Sequence, residues 1–173
     1  MIEIRRGELA DVDAAAVVRP ISADGMAATA AVRRLELAAG PGLDEDCRRL
    51  GELPPGAAAI TPAGALAADF VIHVVVRSRE EPASAALVRR ALQNALRRVA
   101  EWGIASVALP PLGVGAGNLD AEESAGIMIP LLLEHAATSP GPFRAVIVVD
   151  GEYELDVFGR ELARRQQQAG GTS

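Results

Sequence analysis

The sequence predicts an α/β protein, a three-layer sandwich with helices on both faces of a mixed, mostly parallel sheet. Three observations carry that expectation. Strand-like and helix-like segments alternate along the chain, the central strand-like segments are apolar throughout, and the connections are short. Ile2–Arg6 and 14–19 read as strands around a turn at Gly7-Glu8. Residues 27–39 are alanine-rich with Val32, Leu35 and Leu37, and end at Gly40-Pro41-Gly42, a strong helix stop. Residues 44–50 suit a short helix, with acids in the first turn and Arg48-Arg49 at the end, as the macrodipole favours. A strand at 57–61 lies between Pro54-Pro55-Gly56 and Pro62. The run 70–76 is the clearest strand, continuous and β-branched. The clearest helix is 84–102, where Leu87, Ala91, Ala95 and Val99 repeat every four residues. Ser106–Leu109 is a short strand. Asp120 and Glu123 then open a helix to about residue 137, bent at Pro130. Arg144–Val149 and 155–168 supply the last strand and helix, followed by a disordered tail at 169–173. One domain over 1–168 accounts for all of this, with no repeat and no interior linker.

Composition excludes several function classes. The net charge is −6, and all 17 basic residues are arginine, so chemistry that needs a lysine nucleophile is absent. An acidic chain with five aromatics lacks the basic, stacking face of a general nucleic-acid binder. His73, His135 and Cys47 share no metal-ligand spacing, and no metal or cofactor is expected. No apolar run approaches the roughly 18 residues of a membrane span. A single cysteine cannot form an internal disulfide, and the chain has no apolar leader at its start, so cytoplasmic residence is the default expectation.

The residues with most functional content are Leu109-Pro110-Pro111-Leu112-Gly113-Val114-Gly115-Ala116-Gly117-Asn118. Glycines at every second position, between a strand end and a helix start, allow several N–H groups to converge on an anion. An ordinary glycine-rich turn fits the same spacing. Neither the dinucleotide-binding glycine pattern nor the P-loop pattern is present. In open α/β sheets ligands sit outside the carboxyl ends of the strands, and this run leaves a strand at that edge, which favours a ligand loop.

Read in order, Ala38-Ala39-Gly40-Pro41-x-Leu43 with Glu45-Asp46-Cys47, then Gly56-Ala57-Ala58-Ala59-Ile60-Thr61, Phe70-Val71-Ile72-His73 and the proline–glycine run resemble the macrodomain family. That family is the ADP-ribose-binding α/β/α sandwich, and the resemblance spans about residues 2–162. It implies that Glu8, beside Leu9, takes the place of an aspartate that accepts a hydrogen bond from the adenine amino group. It also implies that Gly113, Val114, Gly115, Ala116, Gly117 and Asn118 form the loop holding the diphosphate and distal ribose.

The first ligand loop departs from the family. Its Asn-Ala-Ala-Asn falls on Arg19-Pro20-Ile21-Ser22, and its glycine run falls on Ala27-Ala28-Thr29-Ala30. Ser22 is the polar remnant, and Arg19, Arg33 and Arg34 are candidates to replace the lost positive potential. His73 reads as a satisfied core histidine and Cys47 as a small buried hydrophobe.

The resemblance therefore implies a module that holds ADP-ribose, a related nucleoside diphosphate or an ADP-ribosylated macromolecule, weakly and mainly through main-chain amides. Two alternatives stand beside it: a hydrolase of ADP-ribosylated substrates drawing on Glu8, Arg19, Ser22 or Asn118, and a fold retained for protein contact. The hydrophobic content and arginine-rich helix faces permit a homo-oligomer without requiring one.

Overall fold

The computed structural model describes residues 1–115 and 118–171. Its elements are β1 (Ile2–Arg6), a 3-10 turn (Leu9–Asp11), β2 (Ala16–Ser22), α1 (Ala30–Ala39), α2 (Gly42–Arg49), β3 (Ala58–Pro62), β4 (Phe70–Arg77), α3 (Ala85–Glu101), β5 (Ser106–Leu109), α4 (Ala121–Thr138), β6 (Arg144–Val149) and α5 (Glu152–Gly170). The strands form one sheet in the order β1-β6-β5-β2-β4-β3. All neighbours are parallel except the edge pair β3–β4.

The sheet is covered on both faces, which is why its central strands carry so few polar side chains. On one face Leu9, Val12, Leu35, Ala39 and Leu43 from the 3-10 turn, α1 and α2 pack over Val17, Val71, Ala108, Val146 and Val148. On the other, α3, α4 and α5 bring Val88, Ala91, Leu92, Met128, Leu132 and Phe158 against Val18, Ile72, Val74, Leu109 and Ile147. The four-residue repeat of α3 is buried along its length, and Ser84 caps that helix by accepting the Leu87 N–H at 3.2 Å. Asp120 and Glu123 close a capping box at α4, which runs through Pro130.

Several boundaries differ from those read in the sequence, most of all in β2, α1 and α5. β2 continues past Arg19 to Ser22, because beyond Val17 it pairs only with β4 and the missing N–H of Pro20 breaks no ladder on its other side. α1 starts at Ala30 instead of 27. Ala27 bridges Ile21, the Ala28 N–H donates to the Pro20 carbonyl at 3.2 Å, and the Thr29 hydroxyl accepts the Val32 N–H at 3.3 Å. Those bonds draw 27–29 onto the sheet and set the helix start. α5 opens at Glu152, held by Glu154 on the Gly151 N–H at 3.0 Å, and it extends through Gly170, so Ala169 and Gly170 are helical instead of part of a loose tail.

Candidate functional site

The chain reverses its direction of travel across the sheet between β2 and β5. From β2 it passes to β3 at one edge and back to β4, and from β5 it moves the other way to β6, which lies beside β1. β5 pairs with β2 only at Val107 and Ala108, so the two strands part at their carboxyl ends. A crevice opens at this switch point, where α/β sheets hold ligands. Pro20, Ala28 and Thr29 form one wall, Pro111, Gly113 and Val114 the other, and Val76, Arg77 and Ala83 complete it. The space is about 10 Å³, room for about one water molecule.

The second wall is built around glycine for two separate reasons. Gly113 has φ +81°, and a Cβ there would lie 2.9 Å from Val88 Cγ2 and 3.2 Å from Leu119 Cδ2. Gly115 has φ +89°, with the Thr29 methyl 3.6 Å from where its Cβ would be. The loop is pinned behind the crevice: Ser124 Oγ donates to the Leu112 carbonyl at 2.8 Å, and the Leu119 N–H donates to the Gly113 carbonyl at 3.4 Å. Among the described residues, the N–H groups of Val114 and Gly115 have no protein acceptor. Thr29, which caps α1, stands opposite, so the positive end of that helix faces the same space. The start of α4 offers no such help, because the Asp120 carboxylate occupies it and accepts the Glu123 N–H at 2.8 Å.

Several side chains read as ligand groups are engaged elsewhere. Asn118 donates from Nδ2 to the Ala83 carbonyl at 3.3 Å. The Ser22 hydroxyl donates to Asp24 within a turn that also ties the Ser22 N–H to the Met26 carbonyl at 2.9 Å. Leu9 is 3% exposed and belongs to the core beneath α1. Ala116 and Gly117 lie outside the described residues. Arg33 lines a different and larger groove of about 440 Å³ along α1 and α2, with Glu36, Leu37 and Asp44.

Arg19 does not reach the crevice. Side chains alternate along a strand, and its parity aims it at the α1–α2 face, where it is 1% exposed. Its Nε donates to Glu36 Oε1 at 2.9 Å, and Nη2 also pairs with Glu36 and donates to the Gly25 carbonyl at 3.2 Å. Nη1 lies 3.5 Å from Cys47 Sγ and 3.1 Å from His73 Nδ1. Thr61 uses its hydroxyl proton on the Pro62 carbonyl, so it accepts at 2.7 Å from His73 Nε2, and Nδ1 is left to accept from Arg19. His73 is therefore neutral with its proton on Nε2. Burial, reinforced by the Arg19 charge, lowers its pKa to about 3.

Glu8 sits at the carboxyl edge beyond β1. Its Oε2 accepts from Arg34 Nε at 2.8 Å, and Arg34 Nη2 donates to Asp150 Oδ1, also at 2.8 Å. Its hydrogen bond to the Glu8 carboxylate raises the Arg34 pKa above its ordinary value. Two contributors escaped the sequence reading. Arg77, at the crevice, is signalled only by being the last residue of β4, and the Arg34 bridge joins residues 26 and 116 positions apart.

A family model for the Macro domain matches residues 23–128. The chain belongs to the macrodomain family. An uncharacterised protein of Aeropyrum pernix is 36% identical over 128 residues, covering 72% of this chain and 67% of the relative. A protein of Enterobacter cloacae named O-acetyl-ADP-ribose deacetylase is 28% identical over 173 residues, 96% of each chain. Among solved structures, a mutant of the Oceanobacillus iheyensis macrodomain with ADPR superposes with a TM-score of 0.87 at 20% identity, over 96% of this chain and 94% of that one. The Trypanosoma brucei macrodomain in complex with ADP gives 0.84 at 17% identity, over 93% and 68%. The six-stranded sheet with its two helical layers is thus the macrodomain α/β/α fold.

Proposed function

We propose that this macrodomain binds ADP-ribose, free or attached to a macromolecule, or a related nucleoside diphosphate. The ligand lies along the carboxyl edge of the sheet, its diphosphate against residues 113–118 and its base beside Glu8 and Leu9. The observation that carries this reading is the pair of amides at Val114 and Gly115, which have no protein acceptor among the described residues and stand opposite the positive end of α1 where β2 and β5 part. Relatives and structural neighbours whose names include ADP-ribose, ADP or an ADP-ribose ester support the ligand class.

Binding is weak in this reading. The walls leave about 10 Å³, so a diphosphate enters only when Ala28 and Thr29 draw back from Gly113 and Val114. The side-chain contacts of Ser22 and Asn118 are also diverted, and each lost hydrogen bond to a charged group removes roughly 1.5–3 kcal/mol. Calorimetry with ADP-ribose is expected to give a dissociation constant weaker than about 1 μM. A submicromolar constant overturns the weak-binding account, and no heat at millimolar ligand overturns binding altogether.

Hydrolysis is the second reading, favoured by the name of the Enterobacter cloacae relative. It needs a polar group that positions water or moves a proton at the scissile bond. Ser22 and Asn118 spend their side-chain donors on Asp24 and the Ala83 carbonyl, which favours binding over hydrolysis. Turnover of O-acetyl-ADP-ribose that is abolished by Ser22→Ala or Asn118→Ala reverses that order.

A further inference from the structure

We propose that Arg34 is a positioning residue that sets the nucleobase preference of the proposed ligand site. It fixes the Glu8 carboxylate so that its second oxygen accepts a hydrogen bond from an exocyclic amino group of the kind adenine carries. The inference rests on the reading above, in which the base lies beside Glu8.

Three distant parts of the chain meet at this point. β1 and β6 are paired in register up to Arg6 and Val149, so Glu8 and Asp150 leave neighbouring strand ends. Arg34 reaches across from α1 and takes one oxygen of each carboxylate, Oε2 of Glu8 and Oδ1 of Asp150, both at 2.8 Å. All three side chains are about half exposed, at 43% for Arg34, 47% for Glu8 and 60% for Asp150. Ion pairs in such surroundings contribute little to stability, so the consequence of the bridge is geometric.

A glutamate carboxylate on a flexible arm has no fixed direction of its own. The planar guanidinium gives it one, which a lysine ammonium cannot do while also reaching Asp150. Among the described residues, no donor reaches Glu8 Oε1. An ionised carboxylate only accepts, so this oxygen favours a base edge that presents N–H over one that presents a carbonyl.

The test is a calorimetric titration of the wild type, Arg34→Gln and Arg34→Lys with two nucleotides. One is ADP-ribose, and the other is its hypoxanthine counterpart, in which a carbonyl replaces the amino group. The wild type is expected to favour ADP-ribose by about tenfold or more, the scale of one hydrogen bond to a charged group. Arg34→Gln is expected to cut that ratio to about threefold or less by weakening ADP-ribose while leaving the counterpart nearly unchanged, and Arg34→Lys to recover part of it. A wild type without preference, or an Arg34→Gln that weakens both nucleotides equally or leaves the ratio intact, overturns the assignment. Failure of both nucleotides to bind the wild type removes the reading of the crevice itself, and this inference with it.

Discussion

At the scale of single residues, the buried Arg19 ties β2, α1, β4 and the 22–26 turn into one polar knot. Its removal strands Glu36, which is 20% exposed, and leaves His73 Nδ1 without a donor in a dry setting. Arg19→Met is therefore expected to lower unfolding free energy by about 3 kcal/mol, read by urea denaturation, in line with breaking one side of a buried ion pair. His73 gives the knot a pH signature. Its folded pKa, about 3, lies below the ordinary value of 6.5, so the unfolded chain binds more protons once the pH drops below about 6.5. Stability is then lost on acidification through that window by up to about 1.4 kcal/mol per pH unit, and this group adds no slope above it. His135, also lowered by burial, acts in the same direction. The comparison that isolates His73 is urea denaturation at pH 7, 6 and 5 for the wild type and His73→Gln, and the variant is expected to show the shallower slope. The sequence disclosed that His73 is a core residue, because it stands inside an unbroken apolar strand. It did not disclose Arg19 as one, because an arginine before a proline at a strand end looks solvent-facing until the strand is seen to continue through that proline.

At the scale of elements, capping and turn chemistry were legible and the first loop was not. The Asp120–Glu123 box could be read directly, because its partners are three residues apart. Asp120→Ala is expected to lower thermal stability by about 1 kcal/mol, the usual contribution of an N-cap, and a melting curve checks it. The glycines of the second loop were equally plain as a pattern, but their two kinds of necessity are structural. Gly113→Ala meets both a positive φ and the Val88 side chain, so a loss of about 2–3 kcal/mol is expected. Gly115→Ala meets the backbone strain alone and is expected to lose about 1 kcal/mol. Parallel denaturation of the two variants checks the order. By contrast, nothing local in Ala23-Asp24-Gly25-Met26 announces that this turn folds back on Pro20 and Ser22. The Ser22 and Gly25 N–H groups hold the turn on the Met26 and Ser22 carbonyls, and Arg19 adds a donation to the Gly25 carbonyl from inside the sheet.

Over the whole molecule, the layered fold followed from the alternation of strands and helices, and the structure reproduces it with one antiparallel edge. The strand order could not be read, since continuous apolar strands say that they are central without naming their neighbours. The crevice depends on that order, because it exists where β2 outlasts its pairing with β5. The amide-lined loop was therefore identifiable from glycine spacing, whereas the narrow gap opposite it and the Arg34 bridge emerged only from the assembled sheet. Among the described residues no helix is long and apolar enough to cross a membrane, and no group of histidine, cysteine and acidic side chains is arranged to hold a metal ion.

The strapping of α1 has a kinetic consequence. Glu36 on its inner side is held by Arg19, and Arg34 is held by two strand-end carboxylates, so the helix is tied to the sheet at two points. In the proposed binding mode, admission of a guest waits on an excursion of α1 away from Gly113 and Val114, and the apparent affinity is diluted by the fraction of molecules caught ajar. In stopped-flow mixing, the relaxation rate should climb with nucleotide concentration and then level off at the frequency of the excursion. Loosening the inner strap with Arg19→Met should raise that plateau.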